Sequence, residues 1–172
     1  MRSALRHPLA ALALALCTAV CGCSVEVEDE PAGGGDTGRV VRVVDGDTIR
    51  VDLPSGEEPV RYIGIDTPES VKPGSPVECF AKRASAYNER LVGGERVRLV
   101  RDVEARDRSG RLLAYVYRAR DGLFVNAELV RRGYATVATF PPNVAHEREF
   151  RRLANRARLS GRGLWAKCEG AG

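Results

Sequence analysis

Residues 48–53, Thr-Ile-Arg-Val-Asp-Leu, alternate polar and apolar side chains, the period-two signature of a strand with one buried face. Residues 39–44 before them are rich in valine, and Asp45, Gly46 and Asp47 make a hairpin-type turn between the two segments. A second turn at 54–59 leads into a third apolar-rich segment, 60–65. These three segments predict one meander in a curled sheet. The period then changes. Phe80, Ala84, Tyr87 and Leu91 recur at helical spacing, which predicts a helix over 78–92 ended by Gly93 and Gly94. Strand patterns return at 96–100 and 112–117, separated by a polar loop over 102–110. A short helix is predicted over 124–132, stopped by Gly133. A last helix is predicted over 143–159, with Asn143 as its cap and Phe150, Leu153, Ala154 and Ala157 inward. Five strands interrupted by a helix predict a mainly β, α+β domain of the OB-barrel type, an architecture that often binds nucleic acid.

The first 38 residues follow neither pattern. Arg2 and Arg6 precede an apolar run from Pro8 to Val20, too short to span a bilayer as a mature helix. Residues 1–23 therefore read as an export signal and are set aside from the fold. The end of that segment, Val20, Cys21, Gly22 and Cys23, resembles a bacterial lipobox, in which a small residue precedes a cysteine that takes lipid and becomes the mature N-terminus. Gly22 favours Cys23 for that role over Cys21, which follows Val20, and over Cys17, which follows Leu16. The alternative is an ordinary cleaved signal with incidental cysteines. Lipid on Cys23 would anchor the protein to the cell membrane or outer membrane, facing periplasm or exterior, without a spanning helix. Residues 24–38 hold Glu26, Glu28, Asp29, Glu30, Asp36 and the glycines 33–35, with almost nothing to bury. They are expected to be a flexible linker. The folded domain is then 39–172, or 134 of 172 residues, enough for one core.

Charge and cysteine usage follow the same division. The chain carries a net +4, but from Arg39 onward 25 Lys and Arg face 18 Asp and Glu, a net +7. A basic, arginine-rich domain suits a polyanion such as nucleic acid. Of the five cysteines, Cys17 and Cys21 belong to the signal and Cys23 to the lipobox. Cys79 and Cys168 remain, an even pair in an oxidising compartment, and a disulfide between them is expected. It would close 89 residues, worth about 4–5 kcal/mol in the chain-entropy model. The alternative is two separate buried thiols. No His-rich or Cys-rich cluster is left in the sequence for zinc.

Three short clusters carry candidate chemistry: Asp45 to Thr48, Arg61 to Glu69, and Asp107 to Tyr117. Singly, each has a structural reading. Asp45 is a turn residue, and Asp107 is expected to fix its loop. Asp66 or Thr67 can cap a helix with Pro68 at its first position. His146 is expected to serve the last helix, and Tyr115, Tyr117 and Trp165 to pack. Together the clusters say more. Arg61 and Arg111 lie at the starts of the third and fifth predicted strands, Asp47 at the turn before the second. Asp66, Thr67 and Glu69 follow the end of the third. A curled sheet can bring all of these to one rim.

In this order and register the clusters resemble the staphylococcal nuclease family. The resemblance covers essentially all of residues 39–168. It rests on Val44 to Thr48, on Arg61 to Glu69, on Gly110 and Arg111 with Leu113 to Tyr117, and on Val125, Asn126 and Leu129 to Gly133. It implies a five-stranded OB-fold β-barrel with three α-helices. It also implies a hydrolase that cuts phosphodiester bonds in DNA, with RNA as a further candidate, releasing the 5′ oxygen and leaving a 3′-phosphate. Asp47 and Asp66 match two metal carboxylates, and Thr67 matches the residue whose backbone carbonyl joins them; hard oxygen donors suit Ca²⁺. Arg61 and Arg111 match the arginines that grip the scissile phosphate, and Glu69 matches the proposed general base. Arg108 stands where the family archetype has a lysine near a second phosphate.

The residue types suit that chemistry. Guanidinium forks can bind phosphoryl oxygens bidentately and tighten as charge develops. A carboxylate can accept the proton of an attacking water, a gain of about 10²–10⁴-fold. No Ser, Cys or His arrangement points to a covalent intermediate. The chain departs from the archetype at Ser109, Thr139 and Pro141, where tyrosines near the nucleotide are expected, so base and sugar contacts should differ. The alternative function is a non-catalytic OB-fold nucleic-acid-binding envelope lipoprotein. That reading predicts gaps in the set Asp47, Arg61, Asp66, Glu69 and Arg111, and the sequence has none. A monomer is expected.

Overall fold

The computed structural model describes residues 35–70, 74 and 76–168. The expected signal segment with Cys23, and all but the last four residues of the expected linker, lie outside them. In chain order the elements are β1 (Asp36–Val43), β2 (Thr48–Leu53), β3 (Gly56–Tyr62), β4 (Ile65–Asp66), α1 (Ala81–Val92), β5 (Arg96–Val100), β6 (Leu112–Arg118), α2 (Val125–Arg131), β7 (Thr136–Val137), α3 (Glu147–Leu159) and the single turn α4 (Leu164–Lys167). β1, β2 and β3 form the antiparallel meander. β5 pairs antiparallel with both β1 and β6. β6 then runs parallel to β3, with Val60 beside Leu112 and Tyr62 beside Ala114, which closes the barrel in the order β1-β2-β3-β6-β5. This is the five-stranded OB barrel with three helices expected from the sequence, with α4 added.

The alternating positions point inward as a pleated strand requires. Val40, Ile49, Val51, Val60, Tyr62, Val97, Leu99, Ala114 and Val116 are all buried in one core. The helices cover the rim of that core. Leu129 and Val130 of α2 and Phe150 of α3 are fully buried in it. Phe150 lies so close beneath Gly64 that a Cβ there would fall 2.6 Å from the ring, and Gly64 also has φ +79°. Only glycine meets both demands, so α3 packs directly on the turn that launches Asp66.

Several boundaries differ from the sequence expectation, among them the start of the first helix, which begins at Ala81 rather than at 78. β1 begins at Asp36, three residues inside the segment expected to be linker, because Asp36, Thr37 and Gly38 pair through their backbones with Leu99, Arg98 and Val97. The third strand runs over 56–62 rather than 60–65. The turn before it is confined to Pro54 and Ser55, and Glu57, Glu58 and Pro59 pair with Asp52, Val51 and Arg50. Arg61 therefore sits near the end of its strand, not at its start. Ile65 and Asp66 leave that strand and pair with Val137 and Thr136. The last helix begins at Glu147, and Asn143 is not its cap. Asn143 instead accepts from Glu104 N–H at 2.7 Å and donates to Glu104 C=O at 2.9 Å, clamping two loops together.

Cys79 and Cys168 form the expected disulfide, with Cα atoms 5.9 Å apart. Among the described residues, no helix is long and apolar enough to cross a membrane.

Candidate active site

A recess of about 180 Å³ on the barrel rim is lined by Asp45, Asp47, Thr48, Arg61, Asp66, Thr67, Pro68, Glu69 and Arg111. It gathers the predicted Asp47, Arg61, Asp66, Thr67, Glu69 and Arg111. Larger hollows lie beside Cys79, about 410 Å³, and beside Tyr134, about 500 Å³, but neither gathers more than one carboxylate. Arg108 does not line the recess; it is exposed on the 102–110 loop and makes no hydrogen bond or ion pair among the described residues.

Asp47 is the most deeply held of these groups, with 3% of its surface exposed. One of its carboxylate oxygens accepts from Thr67 N–H at 2.6 Å and from the Thr67 hydroxyl at 2.8 Å. The other accepts from the Thr48 hydroxyl at 3.3 Å and pairs with the Arg61 guanidinium. Gly46 makes this possible, since a Cβ there would lie 2.6 Å from the Thr67 hydroxyl. Arg61 reaches across to Asp66, at 2.6 Å, and to the Ile65 carbonyl, at 3.3 Å. Asp47 and Asp66 thus converge on one guanidinium fork from opposite sides.

Arg111 is aimed by Asp107. That carboxylate accepts from Arg111 Nε–H at 2.7 Å and from the backbone N–H groups of Arg111 and Ser109 at 3.0 and 2.9 Å. Burial pushes the Asp107 carboxyl up, but the bonds from Arg111 outweigh it and hold the group below its usual range. Asp107 stays charged and keeps the guanidinium in place. At Asp45, burial prevails over its bond to Thr48 and the nearby Arg61, Glu69 adds repulsion, and the carboxyl is raised. Asp45 accepts from Asp47 N–H at 3.0 Å, the turn role expected of it.

Two buried asparagines set the backbone of this site: Asn88, which the sequence did not single out, and Asn126, named there only as part of the resemblance. Asn88, buried on α1, accepts from the Tyr62 hydroxyl and donates to the Asp45 carbonyl, both at 3.0 Å. Burial pushes the Tyr62 hydroxyl up, so it remains a donor. Asn126, buried on α2, accepts from Val116 N–H and donates to the Ile63 carbonyl, both at 2.9 Å. Buried amides of this kind satisfy backbone groups that no strand can reach. The signal available was a polar residue at an inward helical position: Asn88 falls in line with Ala84 and Leu91.

His146, Tyr115 and Phe124 pack against one another on the far side of β6, with ring centroids 4.5 and 4.8 Å from His146. They line no part of the recess.

A closed five-stranded barrel with carboxylates and two arginines gathered in one rim recess defines an OB-type protein. Its sequence matches the family described as staphylococcal nuclease homologue over residues 59–167. It is 36% identical over 130 residues to the thermonuclease of Staphylococcus hyicus, covering 76% of each chain. It is 45% identical over 109 residues to the thermonuclease of Staphylococcus intermedius, covering 63% of this chain and 64% of that protein. It is 39% identical over 128 residues to the endonuclease YncB of Bacillus subtilis (strain 168), covering 73% of this chain and 60% of that protein. The chain belongs to the staphylococcal nuclease family.

The family implies a metal ion, and the donors around the recess fit one. They are all oxygens, and no thiol or imidazole lines the recess. Among the described residues, no three His, Cys, Asp or Glu side chains are grouped as a metal cage. The recess thus offers carboxylate oxygens, among them those of Asp47 and Asp66, and donors of this type suit a hard cation over zinc.

Proposed function

We propose that this chain is an exported endonuclease that hydrolyses phosphodiester bonds of DNA, and of RNA where it meets it, with Ca²⁺ as cofactor. The observation that carries this reading is the convergence of Asp47, Asp66, Arg61, Glu69 and Arg111 on one recess. Asp47, Asp66 and the Thr67 backbone carbonyl are the ligands assigned to Ca²⁺. When bound, the ion supplies positive charge that offsets the repulsion between a phosphodiester and an incoming nucleophile.

The chain's own residues do the rest. Arg61 and Arg111 bind the non-bridging oxygens of the scissile phosphate, and their hold strengthens as negative charge grows there. Glu69 takes a proton from the attacking water as its oxygen bonds to phosphorus. The bond from phosphorus to the 5′ oxygen breaks, that oxygen takes a proton from solvent, and a 3′-phosphate remains. Asp107 is a positioning residue that keeps the Arg111 fork turned toward the recess.

Lipid on Cys23, and with it attachment to the cell membrane or outer membrane facing periplasm or exterior, is part of the proposal; mass spectrometry of the mature N-terminus tests it. The enzyme itself is tested by following cleavage of single-stranded DNA by the oxidised protein with Ca²⁺ and then with chelator. Glu69→Gln and Arg111→Ala are run beside it. Ca²⁺-dependent cutting that collapses in both variants is expected. Tight binding with no cutting, unchanged in both variants, would mean that the barrel only holds nucleic acid.

A further inference from the structure

Glu69 and Glu78 are joined by a pair of hydrogen bonds. Glu78 N–H donates to the Glu69 carbonyl at 3.0 Å, and Glu69 N–H donates to the Glu78 carboxylate at 2.9 Å. Both backbone polar groups of the proposed general base are thus held by one residue nine positions away. Glu78 is exposed. Hydrogen bonds at such a surface compete with water and fix little unless the partner is itself fixed.

Glu78 is fixed by its neighbour. Cys79 is bonded to Cys168, 89 positions on. Cys168 N–H donates to the Leu164 carbonyl at 2.9 Å; Leu164 is buried, and its own N–H donates to the Gly133 carbonyl at 2.8 Å. On the other side of Cys79, Phe80 has φ 72°, a left-handed conformation uncommon for a residue with a side chain. Such a conformation persists only where its surroundings enforce it. Here the Phe80 ring packs against Tyr134, with centroids 5.3 Å apart. A covalent tether thus runs from the buried Leu164 through Cys168 and Cys79 to Glu78, whose two hydrogen bonds reach Glu69.

We infer that Glu78 is a positioning residue for Glu69 and that the Cys79–Cys168 bond makes it one. This rests on the reading of Glu69 as general base. The disulfide then has a part in the chemistry beyond stability. Reducing it with a dithiol, which gives two electrons and two protons and leaves two thiols, frees Glu78 and loosens Glu69 without touching any group that meets substrate.

The test uses the full chain in four forms: wild type, Glu78→Ala, Glu78→Gln, and the Cys79→Ser, Cys168→Ser pair. Each is measured for kcat and KM on single-stranded DNA and for amide hydrogen exchange at Glu69. Glu78→Ala keeps the disulfide, so its result does not depend on whether the paired serine variant folds. It should lower kcat about ten- to a hundredfold with KM little changed, the scale of a small misplacement of a reacting group. The Glu69 amide should exchange faster. Glu78→Gln keeps an acceptor oxygen and should recover most of both. The serine pair, and wild type with dithiothreitol, should resemble Glu78→Ala. Unchanged kcat and exchange in Glu78→Ala, beside an active wild type, would overturn the inference. Faster exchange in Glu78→Ala beside an inactive wild type would keep the clamp and instead sink the nuclease reading.

Discussion

The recess has two halves, and they are held in opposite ways. Asp47, Thr67 and Arg61 belong to the barrel and its turns. Asp47 is 3% exposed, and its oxygens are taken by Thr67, Thr48 and Arg61. Glu69 and Arg111 belong to loops, braced by Glu78 and Asp107 near the surface. Both halves hold groups proposed to act on substrate, Arg61 in the first and Glu69 and Arg111 in the second. Those of the barrel are set by folding and cost stability if removed, whereas those of the loops are braced near the surface and can be changed at less cost to the fold.

Substitutions can break that contrast or sharpen it. The largest effect belongs to the loop half: Glu69→Gln should cut turnover about 10²–10⁴-fold while the urea midpoint stays near wild type. Arg111→Ala should lose about 10²–10³-fold on the same terms. In the barrel half, Asp47→Ala should lower unfolding free energy by about 3–5 kcal/mol, because it leaves a mostly buried Arg61 without one partner and the Thr67 amide without its acceptor. Equal melting temperatures for Asp47→Ala and Glu69→Gln would erase the contrast. Asn88→Ala should cost about 1–3 kcal/mol by orphaning the Asp45 carbonyl and the Tyr62 hydroxyl, with a smaller loss of activity from the loosened turn.

The smallest effect is one of pH, away from the recess. Burial pushes the Glu128 carboxyl up, but bonds from Arg132, Arg131 and Tyr87 outweigh it, so the folded value lies below the unfolded one of about 4.3. That stabilisation is complete above the unfolded value and is lost as pH falls through the folded one. Glu128→Gln should therefore flatten the acid limb of stability, measured by urea unfolding between about pH 5 and pH 2. An acid limb as steep as in wild type would show that Glu128 contributes nothing there.

The sequence was most legible where periodicity reports burial. Residues 48–53 and 96–100 alternate because one face is core, and the strands lie where that pattern puts them. It was silent where backbone alone makes the contact. Asp36 to Gly38 join the sheet without an apolar side chain among them, and β4 and β7 are two-residue strands with no room for a pattern. Asn143 illustrates a second limit. An asparagine before a helical pattern fits a cap locally, yet its amide is used on a loop 39 positions away, which only tertiary structure reveals. The residues grouped in the recess were legible because the resemblance carries their register. The two buried asparagines that shape its backbone were not, since a polar residue on an inward face looks like a flaw until its partners are seen.

The ladder between β3 and β6 is parallel. Val60 pairs with Leu112 across 52 intervening steps of chain, and this ladder brings the strand of Arg61 alongside the one that Arg111 precedes. Closing so long a loop costs entropy before any contact repays it, so pairings of this kind are slow to form. A chain still being made or carried in unfolded form has every residue of the recess and no recess. Phosphodiester cleavage at the proposed site therefore requires the β3–β6 ladder and reports on its formation.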